Sequence, residues 1–124
     1  MNAELNESKR KLKEGFIKLQ EGVDSARNEL EKDGVIQRFE FTFELLWKSI
    51  KIYLGHQGIT VKTPRESFKA AFKIGIIVKE QEFLDMLEDR NKTSHIYSKE
   101  ESEKIFNRIK NIYLGSIQQI VDKI

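Results

Sequence analysis

The chain has no cysteine, one proline and two histidines. Without cysteine there is no disulfide framework, no thiolate nucleophile and no Cys-based zinc site. The absence fits a reducing, cytoplasmic compartment. With a single proline and seven scattered glycines, no linker or low-complexity segment divides the 124 residues. One domain spanning 1–124 is expected, long enough to bury a core without staples. No long apolar run is present: IGIIV, residues 74–78, is far too short to cross a bilayer. The first residues, MNAELNESKRKLKEG, lack the apolar stretch of a signal peptide. Nor is charge of one sign in excess. Lys and Arg number 22 against 20 Asp and Glu, and a net +2 does not by itself argue for nucleic acid.

Helical periodicity is abundant. Leu5, Leu12, Phe16, Leu19, Val23, Ala26 and Leu30 form one stripe on a long first helix, which the glycine of KDG, residues 32–34, is expected to end. From Val35 to His56, Phe39, Thr42, Phe43, Leu46, Trp47, Ile50 and Tyr53 line one side, and Phe41, Leu45 and Ile52 another. A helix apolar on two faces is central in its fold or buried against a second subunit. Thr63, Pro64 and Glu66 make a capping box that opens a short third helix carrying Phe68, Ala71, Phe72 and Ile74 and stopping at Gly75. A fourth helix begins near Lys79 with Phe83, Leu84 and Leu87. Ser98, with Glu101, caps a last one whose stripe is Ile105, Ile109, Ile112, Tyr113, Ile117, Ile120 and Ile124. The expected fold is all-α: an antiparallel up-and-down four-helix bundle with an additional short helix.

Between the fourth and last helices lies EDRNKTSHIYSKEE, residues 88–101. Histidine transfers protons near neutral pH, and arginine offers a planar donor fork suited to phosphate. Asn91, Thr93 and Ser94 are able to orient either group or a substrate. Asn91 and His95 are four residues apart and share a helix face. Arg90 and His95, five apart, are separated by roughly 140° on a continuing helix. They converge only if Arg90 reaches around, if the helix ends between them, or if two subunits pool their motifs. On composition alone, a polar helix end is the simpler reading. Two distant histidines without an evident carboxylate partner are a weak metal signal, and no metal or cofactor is expected.

The segment DRNKTSHIY, residues 89–97, resembles the signature of the HEPN superfamily: an Arg, often followed by a polar residue, then a His after four to six residues, here four. The Tyr two positions beyond His95 is similar to the HepT toxin type, partner of a minimal nucleotidyltransferase. IQRFEFTFELLWKSIKIYL (36–54) and TPRESFKAAFKIGII (63–77) are similar to the branch called nucleotidyltransferase substrate-binding proteins; Phe83 stands where that branch is expected to have Trp.

The resemblance implies a homodimer with two Arg–His motifs facing a shared cleft, and a separate minimal nucleotidyltransferase partner. No Gly-Ser/Asp-x-Asp pattern of such an enzyme occurs in this chain. Two functions then compete. In a metal-independent ribonuclease toxin the RNA 2′-hydroxyl attacks, His95 moves the proton, Arg90 stabilises the developing phosphorane charge and Asn91 orients. Tyr97 there resembles a hydroxyl that the partner nucleotidylates to silence the toxin. In a two-component nucleotidyltransferase, the bundle supplies a non-catalytic substrate-binding wall. A third reading is an interaction protein only.

Overall fold

A computed structural model describes residues 2–95 and 98–124. Five helices pack as expected: α1 (Ala3–Ser25), α2 (Glu29–His56), α3 (Pro64–Lys73), α4 (Glu80–Lys92) and α5 (Lys99–Arg108), the last continuing through a π turn (Ile109–Tyr113) into α6 (Leu114–Lys123). The bundle consists of α1, α2, α4 and the α5–α6 rod, with α3 laid against α2 and α4. Its centre is aromatic. Phe39 stacks on Tyr113 at 5.6 Å, Phe43 meets Phe68 edge-on at 5.8 Å, and Phe68 meets Phe83 at 5.4 Å. Such pairs add about 0.5–1.5 kcal/mol each beyond the area they bury. Phe83 is fully buried in this group, so it fills its place as a smaller aromatic ring.

The first helix boundary differs from the sequence expectation. Lys32, Asp33 and Gly34 lie inside α2, and the break falls earlier, at Ala26–Asn28. Local hydrogen bonds explain the shift. The Asn28 side chain accepts from the Glu31 N–H at 2.9 Å, and the Glu31 carboxylate accepts from the Arg27 N–H at 2.7 Å, a reciprocal cap. The KDG segment is then tied to α5 by Lys32–Glu103 at 2.9 Å and by the Ser102 hydroxyl donating to Asp33 at 2.8 Å. Gly34 costs such a helix about 1 kcal/mol relative to alanine, and these ties offset it. Leu30, assigned to the first stripe, is correspondingly exposed.

The other boundaries follow their caps. Thr63 accepts from the Glu66 N–H and Ser98 from the Glu101 N–H, both at 3.1 Å. Gly75 follows α3 with φ of +87°, a conformation costly for any residue with a Cβ. Gly75→Ala is expected to destabilise the fold by about 1 kcal/mol despite open space around the site, readable as a lower urea midpoint at unchanged slope.

Gly15 has a different reason. It sits where α1 crosses α2, and a Cβ there would lie 3.0 Å from Leu45 Cδ1 and 3.4 Å from Thr42 Oγ1. Thr42 donates to the Gly15 carbonyl at 3.2 Å across the same contact. Of the second apolar face of α2, Leu45 and Ile52 are half-buried and Phe41 is 63 % exposed. Phe72 and Ile74, placed in the α3 stripe, are also exposed. Among the described residues, no helix is long and apolar enough to cross a membrane.

Candidate functional site

Helix α4 ends inside the polar stretch. Its last turn carries Asp89, Arg90 and Asn91, and a single 3₁₀ turn, Thr93–His95, follows. Thr93 closes the end by donating its hydroxyl to the Arg90 carbonyl at 2.7 Å, the local bonding expected of Thr at a helix terminus. Helical spacing then sends the neighbouring residues in three directions.

Asp89 points inward and is 4 % exposed. Arg108 Nε and Nη2 donate to its two carboxylate oxygens at 2.6 and 2.8 Å, and the buried Tyr113 hydroxyl donates to it as well. A buried carboxylate is tolerable only when satisfied in this way. Arg108 and Tyr113 are five residues apart and would diverge by roughly 140° on an unbroken α-helix. The π turn removes that divergence: the Leu114 N–H bonds to the Ile109 carbonyl, an i→i+5 closure, and both side chains reach one carboxylate. The hydroxyl of Tyr113 is held protonated well above the usual phenol range, first by burial and then by its bond to Asp89. The Arg108 guanidinium is held still more firmly in its charged form by Asp89.

Arg90 points toward α2. Its Nη2 donates to Glu44 at 2.5 Å, its Nη1 reaches Asn91 Oδ1 at 3.4 Å, and its guanidinium lies 5.8 Å from the centre of the Phe43 ring. Glu44 also accepts from Trp47 Nε1 at 3.0 Å.

Asn91 and His95 are both exposed and open onto a third side, a groove of about 760 Å³ between α4 and α5. Arg65, Lys92, Lys104 and Arg108 line it against only two acids, Glu88 and Glu101. Within one chain, therefore, His95 and Asn91 share the groove, while Arg90 is not among its lining residues. Thr93 lines a separate depression with Glu29, Asp33 and Glu40, whose acidic wall repels phosphate. Ser94 is exposed and lines neither depression. Tyr97 lies outside the described residues. Among the described residues no group of three or more His, Asp or Glu side chains is arranged to hold a metal.

Sequence reasoning missed Asp89, Arg108, Tyr113 and Glu44 as parts of this region. One signal for the π turn was present. Ile105, Ile109, Tyr113 and Ile117 recur at strict steps of four, which drift by about 40° per step on a regular α-helix. A wide turn cancels the drift.

Comparison with known proteins fits this architecture. A family model described as nucleotidyltransferase substrate binding protein like matches residues 4–124. A crystal structure from Thermus thermophilus aligns with TM-score 0.84 and 28 % identity, over 90 % of this chain and 96 % of that one. HI0074 from Haemophilus influenzae, described as having the fold of a substrate binding domain of a nucleotidyltransferase, aligns with TM-score 0.70 and 21 % identity, over 96 % and 95 %. None of the curated proteins matches significantly. With the model spanning nearly the whole chain, the protein belongs to the nucleotidyltransferase substrate binding protein-like family.

Proposed function

We propose that the protein works as a homodimer beside a separate minimal nucleotidyltransferase, and that it is a metal-independent ribonuclease of HEPN type. The observation that carries this reading is the exposed His95, beside Asn91, in a groove with an excess of basic side chains. In this reading the imidazole accepts a proton from an RNA 2′-hydroxyl, or returns one to the leaving 5′-oxygen. Asn91 orients the phosphate. Arg90 of the second subunit supplies charge to the phosphorane-like transition state. For that it must leave Glu44, and a half-exposed ion pair is worth only about 0–1 kcal/mol, so an incoming phosphate displaces it at small cost. Of the second apolar face of α2, Phe41 is the exposed member left for the proposed dimer contact, since Leu45 packs against the chain's own core. Tyr97 is the proposed point at which the partner nucleotidylates and silences the toxin.

The second reading is a non-catalytic substrate-binding subunit. It is favoured by the family description and by the engagement of Arg90 with Glu44 within the chain. One assay separates the two. Purified protein is incubated with single-stranded RNA in EDTA, without the partner. The first reading predicts cleavage leaving 2′,3′-cyclic phosphate ends, and a light-scattering mass of two chains. Intact RNA, together with partner-dependent nucleotide transfer to another acceptor, establishes the second.

A further inference from the structure

Arg65 and Arg108 share the groove with His95 within one chain, and of the two Arg108 is the one hydrogen-bonded to a buried carboxylate. Its position is fixed from below: Nε and Nη2 lie on the buried carboxylate of Asp89. A guanidinium carries five N–H donors in a rigid planar fork. Two of them hold Asp89, and among the described residues Nη1 has no hydrogen-bond partner. The side chain is 37 % exposed and lines the groove with Asn91 and His95. An arginine anchored through two donors on a buried carboxylate, while its side chain lines an accessible basic groove, is pre-organised to take an oxyanion, because little rotamer entropy is left to lose on binding.

We infer that Arg108 is an anion-binding residue of the His95 groove, holding a phosphate of the bound substrate through its Nη1 edge. The inference rests on the reading that this groove takes a phosphate-bearing substrate. It assigns to the chain's own Arg108 the ground-state binding of a phosphate, and leaves the partner subunit's arginine to act on the transition state. Lys104 and Arg65 on the same walls add long-range attraction, and the ion-pair partner of Lys104 is the exposed Glu100.

The test uses the full-length protein and two probes, inorganic pyrophosphate and a short fluorescein-labelled oligouridylate. The Nε–Hε resonance of Arg108, assigned with Arg108→Lys, is followed by NMR, and oligonucleotide affinity by fluorescence anisotropy. Pyrophosphate is expected to move the Arg108 resonance, and Arg108→Lys, which keeps a cation over Asp89, to weaken both probes about tenfold. If pyrophosphate moves Arg108 but the oligonucleotide does not bind, the anion site stands and the RNA reading falls. If the oligonucleotide binds Arg108→Lys as well as wild type, while Arg90→Ala weakens it, the RNA reading stands and the inference is overturned. An Arg108 resonance that neither probe moves also overturns it, and needs no folded variant.

Discussion

Asp89→Ala is expected to lower the free energy of unfolding by about 3–4 kcal/mol. Two costs combine. The Arg108 cation loses its bidentate partner; because it is 37 % exposed, water recovers part of that loss. The Tyr113 hydroxyl, fully buried, loses its acceptor, and an unsatisfied buried hydroxyl costs about 1–3 kcal/mol. Urea melts check the value, with a midpoint falling at near-constant slope. Asp89→Asn retains one acceptor oxygen and loses less. A stability equal to wild type in Asp89→Ala would show that the network contributes nothing.

The same network gives the alkaline limb a direction. Tyr113 is held protonated above its unfolded-state value of 10.0, chiefly by burial and then by Asp89. A raised pKa on this acid means that its stabilising contribution is complete below the unfolded-state value and declines as pH rises through and beyond it. Between about pH 10 and 11 the decline reaches at most about 1.4 kcal/mol per pH unit. Tyr113→Phe is less stable at neutral pH and is expected to show the shallower slope. Ionisations common to both proteins cancel, so the difference between the two curves isolates Tyr113.

The second large effect concerns chemistry. Arg90→Ala and His95→Ala are each expected to reduce RNA cleavage by about 10²–10⁴-fold. Both residues are at least partly exposed. Loss of the Arg90–Glu44 pair removes only about 0–1 kcal/mol of stability, so melting temperatures stay close to wild type. Activity and stability should therefore separate at Arg90 and His95, whereas at Asp89 they fall together.

Most of the fold was legible because its signals are local. Thr63 and Ser98 announce their helices by caps that form within one turn, and Gly75 ends α3 by a backbone conformation that glycine adopts freely. The KDG segment misled because its glycine sits mid-helix, rescued by Lys32–Glu103 and Asp33–Ser102, contacts about seventy residues apart in sequence. For the site, spacing put Asn91 and His95 on one face and left three ways for Arg90 to join them; α4 does end between Arg90 and His95, yet Arg90 turns to Glu44 and only its Nη1 reaches Asn91. The Asp89–Arg108–Tyr113 triad was not legible, since its convergence depends on a π turn and on the packing of α4 against the rod. Asp89 stands in a row of charged residues, where nothing marks it as the inward-facing one.

Because Arg90 and His95 diverge within one chain, the proposed ribonuclease requires a composite site, with Arg90 from one subunit serving His95 of the other. Mixed dimers test this most directly. Arg90→Ala and His95→Ala chains are combined, subunit exchange is verified by mass, and RNA cleavage is measured. A mixed dimer regenerates one site carrying both side chains across the interface, so the mixture should recover up to about a quarter of wild-type activity. Cleavage no higher than that of either parent, with exchange complete, would contradict the composite site.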